Sequence, residues 1–401
     1  MVKYIGLDRM MERNSVYIYL NKTRSAARIL FRDGIRFFSA ALAVAVIGGC
    51  STMNFEKFGE NPKGVRLESV MKSSHAVDGE FRNLSETTVF TGSFFSGMKD
   101  FFVGGERVRP EATLPSRKAD LMHLDPSENV VVWFGHSSYF LQLDGIKILI
   151  DPVLSGHGGP FDFMIKSFPG SDVYSAEDIP AIDYLLITHD HWDHLDYDTV
   201  KAIMPKVKCA VTGLGTGGHL EYWGYDRKSI VERDWYENAV NTKDISIDVT
   251  PARHFSGRLF SRNRTLSVSF VIRTKTKKVF VCGDSGYDTH FRKIGDTYGP
   301  FDLALMECGQ YNPNWSQIHM TPEQSVQAAV DLRAKKMLPG HWGKFSLSSH
   351  SWDDPVIRAS AEAAKKHMFL VHPIIGDPVS MNGDMATQRW WETVVAFIKN
   401  K

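Results

Sequence analysis

From Asn129 onward the chain is a succession of short apolar runs separated by turns rich in glycine, proline and aspartate. Runs of this kind read as strands buried on both faces. Val130–Phe134, Ser138–Leu143 and Ile146–Ile150 come first, and Asp144-Gly145 between the last two is a type I′ hairpin signal. Tyr184–Ile187 follows, then Lys208–Thr212, Ile245–Thr250, Leu266–Arg273, Lys278–Cys282, Asp302–Met306 and Lys336–Leu338. The intervening segments predict helices over Tyr197–Val207, Gly218–Trp223, Tyr287–Ile294, Pro322–Leu332, Pro355–His367 and Thr387–Lys399. Thr321-Pro322-Glu323-Gln324 has a capping-box pattern with proline at the first helical position, and Asp354-Pro355 opens the next helix in the same way. The stripe Trp390, Trp391, Val394, Val395, Phe397 and Ile398 on the last helix should dock on the core.

Before Asn129 the pattern is irregular. Residues 51–125 read as an N-terminal arm, broken by Gly59, Pro62, Gly64, Gly79 and Pro110. Its aromatic residues, Phe90, Phe94, Phe95, Phe101 and Phe102, are expected to face the core. The main domain is expected over 126–401 and a leader over 1–50. In the leader, Arg24, Arg28, Arg32 and Arg36 precede an apolar run from Phe37 to Gly49. That run is shorter than the roughly 20 residues a membrane span requires, and has the length of a signal-peptide core. It ends Val46-Ile47-Gly48-Gly49-Cys50, which resembles a bacterial lipobox with Cys50 as the lipidated first mature residue. Ser51 behind it resembles the outer-membrane sorting default. The expected location is therefore the bacterial cell envelope, as a lipoprotein on the periplasm-facing outer membrane. The basic leader is long, so translation starting at Met10, Met11 or later is an alternative.

With 401 residues, 43% of them hydrophobic, the chain can bury one large core or two modest ones. A formal net charge of +1 gives no basic surplus for nucleic acid. Beyond Cys50 only Cys209, Cys282 and Cys308 remain, an odd number without a C-x-x-C, so they read as small buried strand residues.

The chemistry concentrates after the strand Tyr184–Ile187, where His189, His191, Asp193 and His194 follow in H-x-H-x-D-H spacing. A strand end and its turn can aim side chains i and i+2 at one point, so His189 and His191 can share an ion. Asp193 and His194 point to a neighbouring spot and can hold a second. Imidazole with carboxylate suits zinc first, with manganese or iron as alternatives. A two-metal site needs about seven ligands, so others must come from other strand exits. His254 follows Ile245–Thr250, Asp284 follows Lys278–Cys282, and His341 follows Lys336–Leu338. Asp284 has two oxygens and can bridge two cations.

These motifs, in this order, resemble the metallo-β-lactamase fold superfamily. The nearer resemblance is to N-acyl-phosphatidylethanolamine-hydrolysing phospholipase D and its bacterial relatives. It is carried by Trp133 to His136, Ile150 to Val153, Thr188 to Tyr197, Gly283 to Tyr287, Gly299 to Leu303 and His341 to Phe345. The resemblance implies an α+β fold, a four-layer αββα sandwich. It implies one metal on His189, His191 and His254, another on Asp193, His194 and His341, and Asp284 between them. It also makes His319 a substrate or leaving-group contact. Asp193, Asp284 and His319 are thus the expected catalytic residues. Asp151 and Asp196 are candidates for orienting ligand histidines, and Ser137 and Ser285 read as turn residues. The implied reaction is hydrolysis by a hydroxide shared between two divalent ions, with a phospholipid phosphodiester as first choice. A lactone or other carboxylic ester is the alternative, and a non-catalytic metal-binding envelope protein the alternative of another class. The segments Gly156–Ser175 and Gly213–Glu232 depart from the phospholipase pattern and should shape substrate access.

Overall fold

The structure is a computed structural model and describes residues 54–92, 105–258, 261–383, 385 and 387–399. The leader with Cys50, and Phe94, Phe95, Phe101 and Phe102, lie outside the described residues. Among the described residues no helix is long and apolar enough to cross a membrane.

A helix α1 (Val65–Lys72) and a small hairpin, β1 (Ala76–Val77) and β2 (Glu80–Phe81), precede two seven-stranded sheets. The first sheet contains β3 (Val130–Trp133), β4 (Tyr139–Leu143), β5 (Ile146–Ile150), β6 (Ile182–Ile187), β7 (Val207–Gly213) and β8 (Ile230–Arg233). The second contains β9 (Asn238–Asn241), β10 (Ile245–Pro251), β11 (Val268–Thr274), β12 (Lys278–Val281), β13 (Leu303–Glu307), β14 (Lys336–Gly340) and β15 (Phe369–Leu370). The last strand, β16 (Val379–Ser380), returns to the first sheet beside β3. Each sheet is antiparallel in one half and parallel in the other: β5 to β8, and β12 to β15, run parallel.

Side-chain alternation along the strands builds the layers. Val131 and Trp133 of β3 meet Ile247, Phe270 and Val279 in a core between the sheets. Val132 of β3 turns the other way, with Leu149, Leu185 and Ile187, onto α2 (Tyr197–Ile203) and α3 (Gly217–Tyr222). On the far side Phe280, Ala304 and Met306 pack against α4 (His290–Tyr298), α5 (Pro322–Asp331) and α6 (Asp354–Lys366). The result is a four-layer αββα sandwich. Its central strands are largely apolar because both of their faces are covered. The last helix, α7 (Trp390–Lys399), buries Trp390, Trp391 and Val394, and Trp390 stacks on Trp342 at 5.3 Å.

Local signals were legible where they are stereochemical. Asp144 and Gly145 take φ values of 50° and 81°, a type I′ turn. Thr321 and Gln324 form the capping box. The helix α6 differs: its N-cap is Asp353, which makes no capping bond and pairs instead with Arg107 at 2.7 Å. Helix α4 starts at His290 rather than Tyr287, because Ser285 and Gly286 are tied to Arg253 before the helix can begin. The edge strands β8, β9, β15 and β16 have no clear sequence signal. They are only two to four residues long, with a neighbour on one side only.

Residues 56–92 and 105–125 pack onto the sandwich. Val70, Phe81 and Leu114 enter the inter-sheet core, and Arg66 pairs with Glu221 and Glu232. Phe90 corrects its expectation: it is 39% exposed, with its ring 6.4 Å from Trp315.

His290 and His372 are buried as neutral rings, with pKa values pushed down to about 4 by burial and, for His372, by Arg389. An unfolded chain would protonate both near pH 6.5, so between pH 6.5 and 4 it binds more protons than the folded one. Folding stability should therefore fall as pH drops through that window. Thermal unfolding between pH 7 and 5 checks this: a His372→Asn variant should show a shallower slope.

Candidate metal centre

The loops that leave β6, β10, β12, β13 and β14 converge at one edge of the sandwich. Gly283, with φ of 61°, lets the β12 exit lie against the β6 exit; a β-carbon there would sit 2.8 Å from that of Thr188.

Among the described residues three overlapping donor groups form at this edge, the third being Asp284, Glu307, His319 and His341. In the first, atoms of His189, His191, His254 and Asp284 able to bind a metal all lie within 4.8 Å of one another. His191 Nδ1 is 2.9 Å from His189 Nε2 and 3.2 Å from His254 Nε2. The second group joins Asp193, His194 and His341 with His136. Asp284 faces both of these groups. Its Oδ2 is 3.8 Å from His189 Nε2 and 3.9 Å from His254 Nε2. Its Oδ1 is 3.2 Å from His194 Nε2 and 3.3 Å from His341 Nδ1.

These donors fit divalent cations. Ring nitrogens that face one another this closely cannot all carry protons. Burial holds the pKa of His189, His254 and His341 well below the usual range, and that of His191 down to about 4, so their lone pairs are available. His194 runs the other way: burial lowers its pKa, but Asp284, Asp193 and Asp151 outweigh that and raise it. Burial pushes Asp284 up to about 6. His194 Nε2 and Asp284 Oδ1, although close, are not aligned for a hydrogen bond and have no other partner. Buried polar atoms left in that way are costly, and a shared cation would satisfy both. The mixture of imidazole and carboxylate suits zinc, iron or manganese.

Neighbouring groups set the orientation of these side chains. Asp151 accepts hydrogen bonds from Thr188 N at 2.8 Å, Thr188 Oγ1 at 2.5 Å and His194 Nδ1 at 2.8 Å. His254 Nδ1 donates to the Ile318 carbonyl at 2.9 Å. Asp196 orients no histidine of these groups; it accepts from Thr199 at the start of α2. Ser285 and Ser137 are both more than turn residues: Ser285 Oγ donates to the Gly286 carbonyl and accepts from the Arg253 N–H, each at 2.9 Å, and Ser137 Oγ is 2.9 Å from His341 Nδ1. The insert after β5 closes on the same loop: a β-carbon on Gly158 would lie 3.3 Å from that of Asp193.

Arg258 clamps the loop from outside. Its Nη1 donates to the carbonyls of Asp190 (3.0 Å) and Leu195 (2.8 Å), its Nη2 to that of Lys57 (2.7 Å), and its guanidinium lies 3.7 Å over Trp192. Arg258→Ala should weaken metal binding by about 10- to 100-fold, the range for residues that orient ligands, and lower the melting temperature. Titration with a chelator-buffered metal checks it.

His319 lies beside the first two groups, with its ring 4.9 Å from His254 and 5.3 Å from His341. Its Nδ1 is 2.9 Å from Glu307 Oε2. Glu307 and His136 were not singled out from the sequence. His136 sits in a stretch already marked by resemblance, Trp133 to His136, and its Nε2 is 2.8 Å from Asp193 Oδ2. Glu307 carried one signal, an acid closing the apolar run Leu303 to Met306.

Residues 147–342 match the family model of the beta-lactamase superfamily domain. An uncharacterised protein of Mycobacterium bovis is 36% identical over 327 residues, covering 80% of this chain and 88% of that one. The chain belongs to the beta-lactamase superfamily, with the metallo-β-lactamase fold. This superfamily member falls in a family of metal-dependent hydrolases. Among its relatives, N-acyl-phosphatidylethanolamine-hydrolyzing phospholipase D 1 of Caenorhabditis elegans is 31% identical over 259 residues, covering 60% of this chain and 71% of that one. Outer membrane protein RomA of Klebsiella pneumoniae is 54% identical over 100 residues, 25% of this chain and 76% of that one. The solved structure of Igni18, a metallo hydrolase of Ignicoccus hospitalis, shares the fold with a TM-score of 0.51 and 21% identity. It covers 64% of this chain and 99% of that one.

Proposed function

We propose that this superfamily member is a binuclear metal-dependent hydrolase that cleaves a phosphodiester of a phospholipid at the surface of the bacterial envelope. The observation that carries the two-metal reading is the division of Asp284, one oxygen toward His189 and His254 and the other toward His194 and His341. His189, His191 and His254 would hold one ion, Asp193, His194 and His341 the other, and Asp284 both. The names of two relatives support the substrate and the location: a phospholipase acting on N-acyl-phosphatidylethanolamine, and an outer membrane protein. Lipidation of Cys50 would hold the domain beside its substrate.

Two such ions, when bound, make a water nucleophilic near neutral pH and offset negative charge on the ester oxygens. The chain's own residues then orient the reaction. Asp193 is kept ionised by His194 and His136 against the cost of burial, and can accept a hydrogen bond from the attacking water. His319 serves the leaving-group side.

The test is a substrate panel offered to the metal-loaded protein: bis(p-nitrophenyl) phosphate, N-acyl-phosphatidylethanolamine and acyl lactones. Phosphodiester cleavage supports the reading. Lactone turnover without it would make the protein a carboxylic ester hydrolase. Two bound ions with no turnover would leave a metal-binding envelope protein. For the anchor, fatty-acid labelling should disappear in Cys50→Ala; unchanged labelling overturns it.

A further inference from the structure

Glu307 is a buried acid that the proposed reaction does not use. It closes β13, between the strand that leads to Asp284 and the strand that leads to His341. Its side chain is fully buried, where a carboxylate is costly unless its oxygens are engaged. Both are engaged. Oε1 accepts from the backbone N–H of Met320 at 2.6 Å, and Oε2 lies 2.9 Å from His319 Nδ1. One carboxylate therefore grips the ring of His319 and the backbone of the next residue together. That fixes the ring's rotation as well as its position.

We propose that Glu307 is a positioning residue for His319: it accepts the Nδ1–H of the ring, which leaves Nε2 as the nitrogen available to the substrate. The inference rests on the hydrolase reading above, in which His319 serves the leaving group. A carboxylate holding one imidazole nitrogen so that the other can work is a recurrent arrangement around metal centres. Asp284, Glu307, His319 and His341 also have atoms within 4.8 Å of one another, so Glu307 as a metal ligand is the competing role. Its contacts at 2.6 and 2.9 Å, to Met320 N and His319 Nδ1, favour positioning; the Ser285 backbone and the Asp284 side chain also lie against the carboxyl and hold it in place.

Glu307→Gln is the informative variant. It keeps the shape and one oxygen for Met320 N–H, but turns an amide donor toward Nδ1 and so opposes the proton there. On whichever substrate of the panel is cleaved, it should lower kcat about 10-fold. KM and the metal content should not change. In a His319→Ala background the same substitution should change kcat less than about twofold, because the residue acts through His319. Equal losses in both backgrounds, or loss of bound metal, would overturn the proposal. If nothing in the panel is cleaved, the hydrolase reading fails by itself and the placement of His319 is read directly. The Nδ1 ring proton of His319 should appear in the nitrogen–proton NMR spectrum of the metal-free wild type and vanish in Glu307→Gln. Its persistence in the variant would refute the role of Glu307.

Discussion

Asp284→Ala should empty both metal positions at once, although it removes a single side chain. The two oxygens of Asp284 face different nitrogen sets, at 3.8 and 3.9 Å on one side and 3.2 and 3.3 Å on the other. Without it, two dications would sit close together with only Asp193 supplying negative charge among the seven proposed ligands. Elemental analysis should fall from about two ions per chain to well below one. Hydrolysis should fall on the order of 10³-fold or more, as when a main source of transition-state charge stabilisation is removed. His191→Ala should behave similarly, because His191 Nδ1 is the point on which His189 and His254 converge. Two ions retained in Asp284→Ala would show that the carboxylate is not shared.

Asp151→Ala should be the most damaging change outside the proposed ligands. Asp151 is buried and takes three hydrogen bonds, two from Thr188 and one from His194 Nδ1. Deleting it strands three donors in the interior and frees the ring of His194. Breaking a buried charged network of this kind costs about 3–5 kcal/mol. Metal affinity should fall about 10- to 100-fold as well. Denaturant unfolding with metal chelated isolates the first effect, and metal titration of the folded variant isolates the second. Asp151→Asn should recover most of the stability but less of the affinity. An amide can still accept from Thr188, yet it cannot match the charge that favours His194 with Nε2 directed at Asp284.

Legibility followed from how local each feature is. The buried strands were readable because a strand covered on both faces is largely apolar, and the I′ turn at Asp144-Gly145 because few residues accept positive φ. The short edge strands were not, since a strand with one neighbour and a wet face has no obligatory pattern. The three histidines and Asp193 after β6 announced themselves by spacing. His254, Asp284 and His341 were found as polar residues at strand exits. The same rule would have caught Glu307 at the end of β13 and His136 after β3. Neither stands out in the chain, because one acid or one histidine beside a turn has ordinary explanations.

The order of buried strands and helices and seven candidate donors are written in the chain, because strands covered on both faces need apolar runs and metal chemistry dictates residue type; the αββα layering is implied by the family resemblance and not by the pattern alone. Only the tertiary structure decided how those donors are shared. Which oxygen of Asp284 faces which histidines depends on the docking of two sheets, and which nitrogen of His194 is occupied by Asp151, and that His319 rests on Glu307, depend on how neighbouring loops of one sheet fold together. Those contacts join residues 12 and 43 positions apart within a sheet and as many as 95 apart across the two, and no spacing along a chain encodes an angle between two loops.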